Sequence, residues 1–149
     1  MSERFGYILT IEEHYWNRFC RLTKAGKAVH AYVTSAAILK DKVKLIFFYS
    51  VQPHKDILGY ADFIEREIGE PADLWNRFGQ ETCFNSLDEY LKVTRGNKSV
   101  ILIRFKNLHH GSNLVPLDQA FTILGIERMP QTGLYINKMQ AEQLTKLLT

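Results

Sequence analysis

The sequence predicts an α+β fold in which a small, strongly bent mixed β-barrel carries flanking helices. Three observations in the middle of the chain favour it. Branched and aromatic residues over 28–33 predict a strand, small residues over 34–39 predict a crossing, and the apolar run over 43–50 predicts a buried strand. The following strand, over 57–67, contains Gly59, a residue typical of the bulges that curl a barrel.

The N-terminal part predicts one strand and one helix. Aromatic and branched residues favour a strand over 5–9. Thr10 and Glu13 form a capping-box pattern, so we expect Thr10 to cap the helix that follows. This helix is expected to end at Gly26. Its apolar stripe has helical spacing and comprises Ile11, Tyr15, Phe19 and Leu22.

Residues 68–98 predict a helical insertion between strands. Pro71 is placed to open a short helix that ends before Gly79. Ser86 and Glu89 form a second capping box and predict another helix after it. The tetrapeptide Trp-Asn-Arg-Phe occurs at 16–19 and again at 75–78, which we attribute to two similar amphipathic helices.

The C-terminal part alternates apolar runs and polar segments. A core strand is predicted over 99–105, a polar loop over 106–116 and a short strand over 121–126. A turn then leads into a strand over 134–136. A last capping box, Asn137 with Gln140, predicts a C-terminal helix.

Composition sets broad limits on function. The chain of 149 residues is long enough for a real core, and we expect 1–149 to form a single domain. No apolar run reaches the length of a membrane helix, and the N-terminus lacks a secretory pattern, so we expect a cytoplasmic protein without a membrane partner. The cysteines, Cys20 and Cys83, stand too far apart in sequence for a metal knuckle.

The runs Ala-Val-His-Ala-Tyr-Val-Thr-Ser-Ala-Ala-Ile-Leu (28–39) and Val-Lys-Leu-Ile-Phe-Phe-Tyr-Ser (43–50) resemble the core of PUA-like domains, nearest the EVE, ASCH and related archaeal uncharacterised groups. Leu-Gly-Tyr-Ala (58–61) and Thr-Gly-Leu-Tyr-Ile (132–136) resemble the next and the closing strands. The resemblance implies a PUA-like barrel that binds RNA or a modified base, and a few ASCH members are hydrolases. The chain departs from the ASCH pattern at 28–31, where Ala-Val-His-Ala replaces a Thr-Glu-basic run; this counts against a Lys/Glu hydrolytic site.

A binding cleft is predicted where two neighbouring strands end. Thr34 and Ser35 follow one strand, and Tyr49 and Ser50 end the next. Barrel closure would bring these residues to one rim, where hydroxyl groups could hydrogen-bond a base edge and an aromatic ring could stack on it. The alternative is that Thr34 and Ser35 cap a turn while Tyr49 packs in the core.

Basic residues flank this cleft in sequence. The net charge is only +3, but cations lie close together along the chain, and phosphate binding needs several of them on one face. Lys27, Lys42 and Arg104 are the candidates for this role. The alternative is an ordinary solvated face that keeps the protein soluble.

Two further side chains are candidates for ligand contact. Trp16 could stack on a base, although most aromatic rings in a domain of this size belong to the core. His109, in a predicted loop with His110, could contact phosphate. Neither histidine has a cysteine or carboxylate at metal-ligand spacing, so no metal is expected.

These observations favour a nucleic-acid-binding module that holds RNA or a modified base in a basic cleft, without a cofactor. One alternative is a small nucleoside or amide hydrolase of ASCH type, with Lys27 activated by desolvation and Glu65 as its partner. Another is a protein-interaction adaptor that uses Trp75 and Phe78. No enzyme signature such as a P-loop or a nucleophile elbow is present, and the sequence leaves the oligomeric state open.

Overall fold

A computed structural model describes residues 4–50 and 55–149, and within these ranges it contains six strands and five α-helices. In chain order they are β1 (Gly6–Thr10), α1 (Glu13–Lys24), β2 (Val29–Thr34), β3 (Leu45–Tyr49), β4 (Asp56–Gly69), α2 (Pro71–Phe78), α3 (Leu87–Thr94), β5 (Val100–Pro116), α4 (Leu117–Leu124), β6 (Leu134–Ile136) and α5 (Lys138–Leu148). None of the helices in the described ranges is long and apolar enough to span a membrane.

The strands form one mixed sheet in the order β2-β5-β4-β3-β1-β6, in which β1 and β3 are parallel and the other pairs are antiparallel. The long strands β4 and β5 shift register at three places, and such irregularities bend a sheet. The bending brings the edge strand β2 close to β1, which lies four strands away in the sheet order: the Tyr32 hydroxyl on β2 donates a hydrogen bond to the Thr10 carbonyl on β1, 3.1 Å away. The predicted α+β class with a strongly bent mixed sheet is therefore confirmed.

Gly59 is one of the positions where the sheet bends. The β3–β4 register skips a residue beside it, as the sequence predicts. A methyl group at this position would overlap the carbonyl oxygen of His109 and would lie 2.8 Å from the Trp16 ring. Only a residue without a side chain lets β4, β5 and α1 approach so closely.

Three apolar clusters hold the layers together. The first lies between α1 and the concave face of the sheet and includes Trp16, Phe19 and Phe105. The second joins α4 and α5 to the outer face, and the third lies beneath α2 and α3. Helices α2 and α3 lie between β4 and β5 along the chain, over the residues for which the sequence predicts a helical insertion.

The capping predictions for α3 and α5 are confirmed, and the one for α1 is wrong. The Ser86 side chain accepts a hydrogen bond from the Glu89 amide, and Asn137 and Gln140 form a complete capping box. Helix α1 begins only at Glu13, because Thr10 pairs with Tyr49 and remains part of the sheet.

Two C-terminal predictions are also wrong. The predicted polar loop over 106–116 is the second half of β5, because β4 is long enough to pair with it as far as Pro116. Hydrogen bonding to a long partner strand outweighs the low strand propensity of these residues. The predicted strand over 121–126 belongs mainly to α4, whose Ala120 and Leu124 are buried in the second cluster.

Candidate functional site

A cleft of about 710 Å³ opens where the ends of β1 and β2 meet. We call it the hydroxyl cleft. The segment after β1 contributes one wall, the end of β2 contributes another, and the turn before β6 closes the rim. Its polar lining includes Thr10, Tyr32, Thr34, Gln131 and Thr132.

The side chains of the β2 wall are held in place by hydrogen bonds to the backbone. Tyr32 donates to Thr10, and burial, together with the negative charge of Glu12, raises the pKa of Tyr32 to about 12. Its hydroxyl therefore stays protonated at neutral pH. The Thr34 hydroxyl accepts a hydrogen bond from the Ala36 amide at 3.1 Å, which is the turn-capping role that the sequence leaves open.

The charged residues that line the hydroxyl cleft are mainly acidic. Glu12 is exposed and lies 3.3 Å from a ring nitrogen of His14. Glu13 accepts a hydrogen bond from the Ser50 hydroxyl at 3.4 Å. The predicted cations Lys27 and Arg104 do not line this cleft. The cleft thus offers hydrogen bonds to neutral polar groups and repels phosphate.

Of the four residues predicted at one rim, Ser35 is exposed, Thr34 is half-buried, and Tyr49 and Ser50 are buried. Thr34 lines the cleft, and Ser35 is exposed beside it. Ser50 is fully buried, and its link to Glu13 places it beneath the same cleft. Tyr49 is only 5% exposed and packs in the second cluster, so its ring offers no face to a ligand.

Trp16 lies in the core. It is 1% exposed and packs against Phe48, with ring centroids 5.0 Å apart, directly below Gly59. A base could reach its ring only if β4 and β5 moved apart. Trp16 was a candidate for stacking because the apolar spacing of a helix does not show which of its residues the sheet will cover.

Lys27 and Arg104 support the segment after α2. The Lys27 ammonium donates to the carbonyl oxygens of Gln80 and Thr82, and burial lowers its pKa. Arg104 binds Glu81 through two nitrogens at 2.7 and 3.0 Å and also binds Glu65; these carboxylates, Glu81 first, hold its pKa above the ordinary value. The Lys27–Glu65 pair that the hydrolase alternative needs is not formed.

His109 and Lys42 lie away from the hydroxyl cleft. His109 is exposed on β5 and stacks on Tyr60 of β4, with ring centroids 4.7 Å apart. Lys42 is exposed in the turn before β3. In the described part of the chain, no three histidine, cysteine or acidic side chains lie close enough together to hold a metal ion.

A second, larger concavity was not found from the sequence. It has a volume of about 1070 Å³ and lies between α1 and the segment 75–86. We call it the arginine groove. Its lining includes Arg18, Arg21, Lys27, Arg77, Trp75 and Phe78.

The repeated tetrapeptide is the sequence feature that could have pointed to the arginine groove. The copy at 16–19 lies in α1 and contributes Arg18, and the copy at 75–78 lies in α2 and contributes Arg77. The copy in α1 buries its aromatic side chains, the copy in α2 only half-buries them, and the arginines of both copies line the same groove. The spacing of apolar residues predicts both helices. It does not predict that the two arginines line one groove, which depends on how the helices pack in the fold.

Comparisons with known proteins agree on the fold. No family model matches the chain. An ASCH domain-containing ribonuclease from Zymomonas mobilis is 26% identical over 103 residues, which is 68% of each chain. The crystal structure of ASCH from the same bacterium superimposes with a TM-score of 0.75 at 20% identity, covering 97% of this chain and 96% of that one. The chain has an ASCH-like fold.

Two further structures extend this likeness. A serine-to-alanine mutant of the Zymomonas protein, ZmASCH, superimposes with a TM-score of 0.77 at 20% identity and covers 99% of both chains. A hypothetical protein from Leishmania major has a TM-score of 0.58 at 8% identity, with 98% of this chain and 95% of that one covered. ASCH domains belong to the PUA-like superfamily, so the resemblance found in the sequence is confirmed.

Proposed function

We propose that this ASCH-like protein binds RNA, or a nucleic acid with a modified base, and holds an unpaired nucleotide in the hydroxyl cleft. The observation that carries the proposal is the cleft itself: a concave space of about 710 Å³ between β1 and β2, with hydroxyl and amide groups in its lining. This volume lies within the range of small-molecule sites in proteins.

The chemistry of the cleft suits the neutral parts of a nucleotide. Base edges and ribose hydroxyls exchange hydrogen bonds with side chains such as Gln131 and Thr132, which are exposed at the rim. The acidic groups of Glu12 and Glu13 disfavour phosphate there. We therefore infer that the base and sugar enter the cleft while the backbone stays outside.

The similarity to an ASCH domain-containing ribonuclease supports RNA as the nucleic acid. That relative covers two thirds of this chain, so the likeness is not confined to one motif. Modules that read an RNA sequence usually bind single-stranded segments of the RNA, since unpaired bases can be turned into a pocket.

A binding titration tests the proposal. Fluorescently labelled single-stranded RNA is titrated with the protein, with single-stranded DNA and duplex RNA as comparisons. We expect single-stranded RNA to bind most tightly. The variant with both Gln131→Ala and Thr132→Ala should weaken binding about thirtyfold, since it removes two hydrogen bonds that contribute about 1 kcal/mol each.

The control variant for this titration is Gln143→Ala with Thr122→Ala, two exposed polar residues outside the cleft lining. It should bind as the native protein does. Absence of RNA binding at low salt, or equal weakening by both variants, would contradict the proposal.

Cleavage of the bound RNA is a second candidate function. The observation that favours it is the similarity to a relative named as a ribonuclease. The Tyr32 hydroxyl, with its pKa of about 12, would act there as a hydrogen-bond donor and not as a base. Incubating the native protein and Tyr32→Phe with end-labelled RNA separates the two functions. Products that appear with the native protein and fade in the variant support cleavage, whereas intact RNA with both supports binding alone.

A further inference from the structure

The hydroxyl cleft and the arginine groove are joined by a third, smaller depression of about 270 Å³. Tyr32 and Thr34 line both the hydroxyl cleft and this depression. Cys83 and Phe84 line both the depression and the arginine groove. The three depressions therefore adjoin one another, from the end of β2, past Phe84, to the space between α1 and the segment 75–86.

The arginine groove carries positive charge that is available to a ligand. Arg21 is exposed on the last turns of α1, and Arg77 is half exposed at the end of α2. The partners of Arg77 are distant, with Glu67 at 3.4 Å and Asp73 at 3.7 Å, so these surface pairs hold it weakly. The acidic residue in the lining, Glu81, is neutralised by Arg104.

The groove also offers aromatic surface. Trp75 is half-buried and rests on Tyr90, with ring centroids 4.8 Å apart. Phe78 lies between two guanidinium groups, 4.8 Å from Arg77 and 5.0 Å from Arg104. Half-exposed rings beside cations are the combination with which proteins hold single-stranded nucleic acid, since bases stack on the rings and phosphates meet the cations.

We propose that the ligand is an extended RNA strand of several nucleotides, whose backbone leaves the hydroxyl cleft past Phe84 and continues along the arginine groove. This inference rests on the function proposed above and adds the class of substrate. It also accounts for the separation of charges: the acidic cleft takes base and ribose, and the phosphates that follow reach Arg21 and Arg77.

Length dependence tests this inference. RNA oligonucleotides of about 3, 6 and 12 nucleotides cover the sizes of known single-stranded sites. We expect affinity for the native protein to rise at least tenfold between the shortest and the middle length. In the double variant Arg21→Gln, Arg77→Gln this gain should disappear while binding of the shortest RNA is unchanged. The slope of log K against log salt should fall by about 1.4, or roughly 0.7 for each lost phosphate contact.

The matched control removes the same charge elsewhere. Lys138→Gln with Lys146→Gln changes two exposed cations of α5. This helix packs in the second cluster and contributes no residue to the lining of the groove. This control should keep the length dependence and the salt slope. Circular dichroism and thermal melting show that all variants are folded.

A fluorescence measurement locates the strand. Trp16 and Trp75 are the two tryptophans of the chain, and Trp16 is 1% exposed, so acrylamide quenching reports Trp75. The middle-length RNA should protect Trp75 from quenching, and the shortest RNA should not. The double arginine variant should lose this protection.

The outcomes separate the two proposals. If no RNA of any length binds, the proposed function fails. If all lengths bind equally and the cleft variant weakens them, the function stands and the extended strand is wrong. Tighter binding of polyglutamate than of RNA, with protection of Trp75, would show that the groove serves an acidic polypeptide and would also overturn the inference.

Discussion

At the scale of single residues, His30 ties stability to pH. Its ring is fully buried between Phe19 and Phe105, and Nε2 lies 2.9 Å from the Thr23 hydroxyl. That hydroxyl already donates to the Phe19 carbonyl, so Nε2 carries the proton and donates to it. Burial first, and the charge of Lys27 second, lower the pKa of His30 from 6.5 to about 4.

The sign of the effect follows from linkage. Above pH 6.5 the imidazole is neutral in both states and the free energy of unfolding does not depend on it. As the pH falls from 6.5 towards 4, the unfolded chain takes up the proton first, so the free energy of unfolding decreases. The decrease reaches about 3 kcal/mol once the pH is below the pKa of the folded state. Urea unfolding at pH 7 and pH 4.5 should show a loss that His30→Phe reduces. An equal loss in that variant would contradict the assignment, and His109→Gln, at an exposed position, is the control.

Gly59 and Gly69 make a second prediction at this scale. Both lie in β4, but a Cβ at Gly59 meets the backbone of β5 and the buried Trp16 ring, whereas at Gly69 its nearest neighbour is 3.5 Å away, in ordinary contact. Gly59→Ala should lower the free energy of unfolding by at least about 2 kcal/mol, as overpacking does. Gly69→Ala should change it by less than about 1 kcal/mol. Chemical denaturation measures both, and equal effects would contradict the packing described.

At the scale of elements, the helix caps differ in a way that can be measured. Asn137 caps α5 with a reciprocal hydrogen-bonded box, whereas the residue before α1, Glu12, makes no side-chain capping bond. Asn137→Ala should destabilise the protein by about 1 kcal/mol, and Glu12→Ala by less than about 0.5 kcal/mol. Thermal unfolding checks this ranking; the reverse order would show that the dipole of α1 matters more than the capping bond.

The elements also show which local signals can be trusted. Ser86 and Asn137 cap as predicted because the residues that follow each of them are not paired in the sheet and can form a helix. Thr10 carries the same pattern but remains paired with β3, since a ladder of backbone hydrogen bonds competes with a single cap. The strand over 106–116 was missed for the same reason: its partner, β4, determines its length.

At the scale of the whole molecule, the α+β class and the bent sheet could be predicted, because the alternation of apolar runs and small residues is local. The site was predicted only in part. Thr34 and Ser35 lie where the cleft was expected, but the cations do not, since Lys27 and Arg104 face the helical segment instead of the β2 end. Only the curl of the sheet decides which distant residues share a concave surface.

The proposed binding mode separates two tasks in space. The hydroxyl cleft is suited to recognise the neutral part of a nucleotide, and the arginine groove to hold the charged backbone that follows. This division predicts that high salt weakens long RNA more than short RNA, since screening acts mainly on the phosphate contacts.

The most direct measurement of the central claim is a titration of ¹⁵N-labelled protein with short single-stranded RNA, followed by backbone amide shifts. We predict the largest changes at residues 10–14, 32–36 and 131–133, which form the walls of the hydroxyl cleft. Shifts confined to other parts of the surface, or no shifts at saturating RNA, would contradict the account.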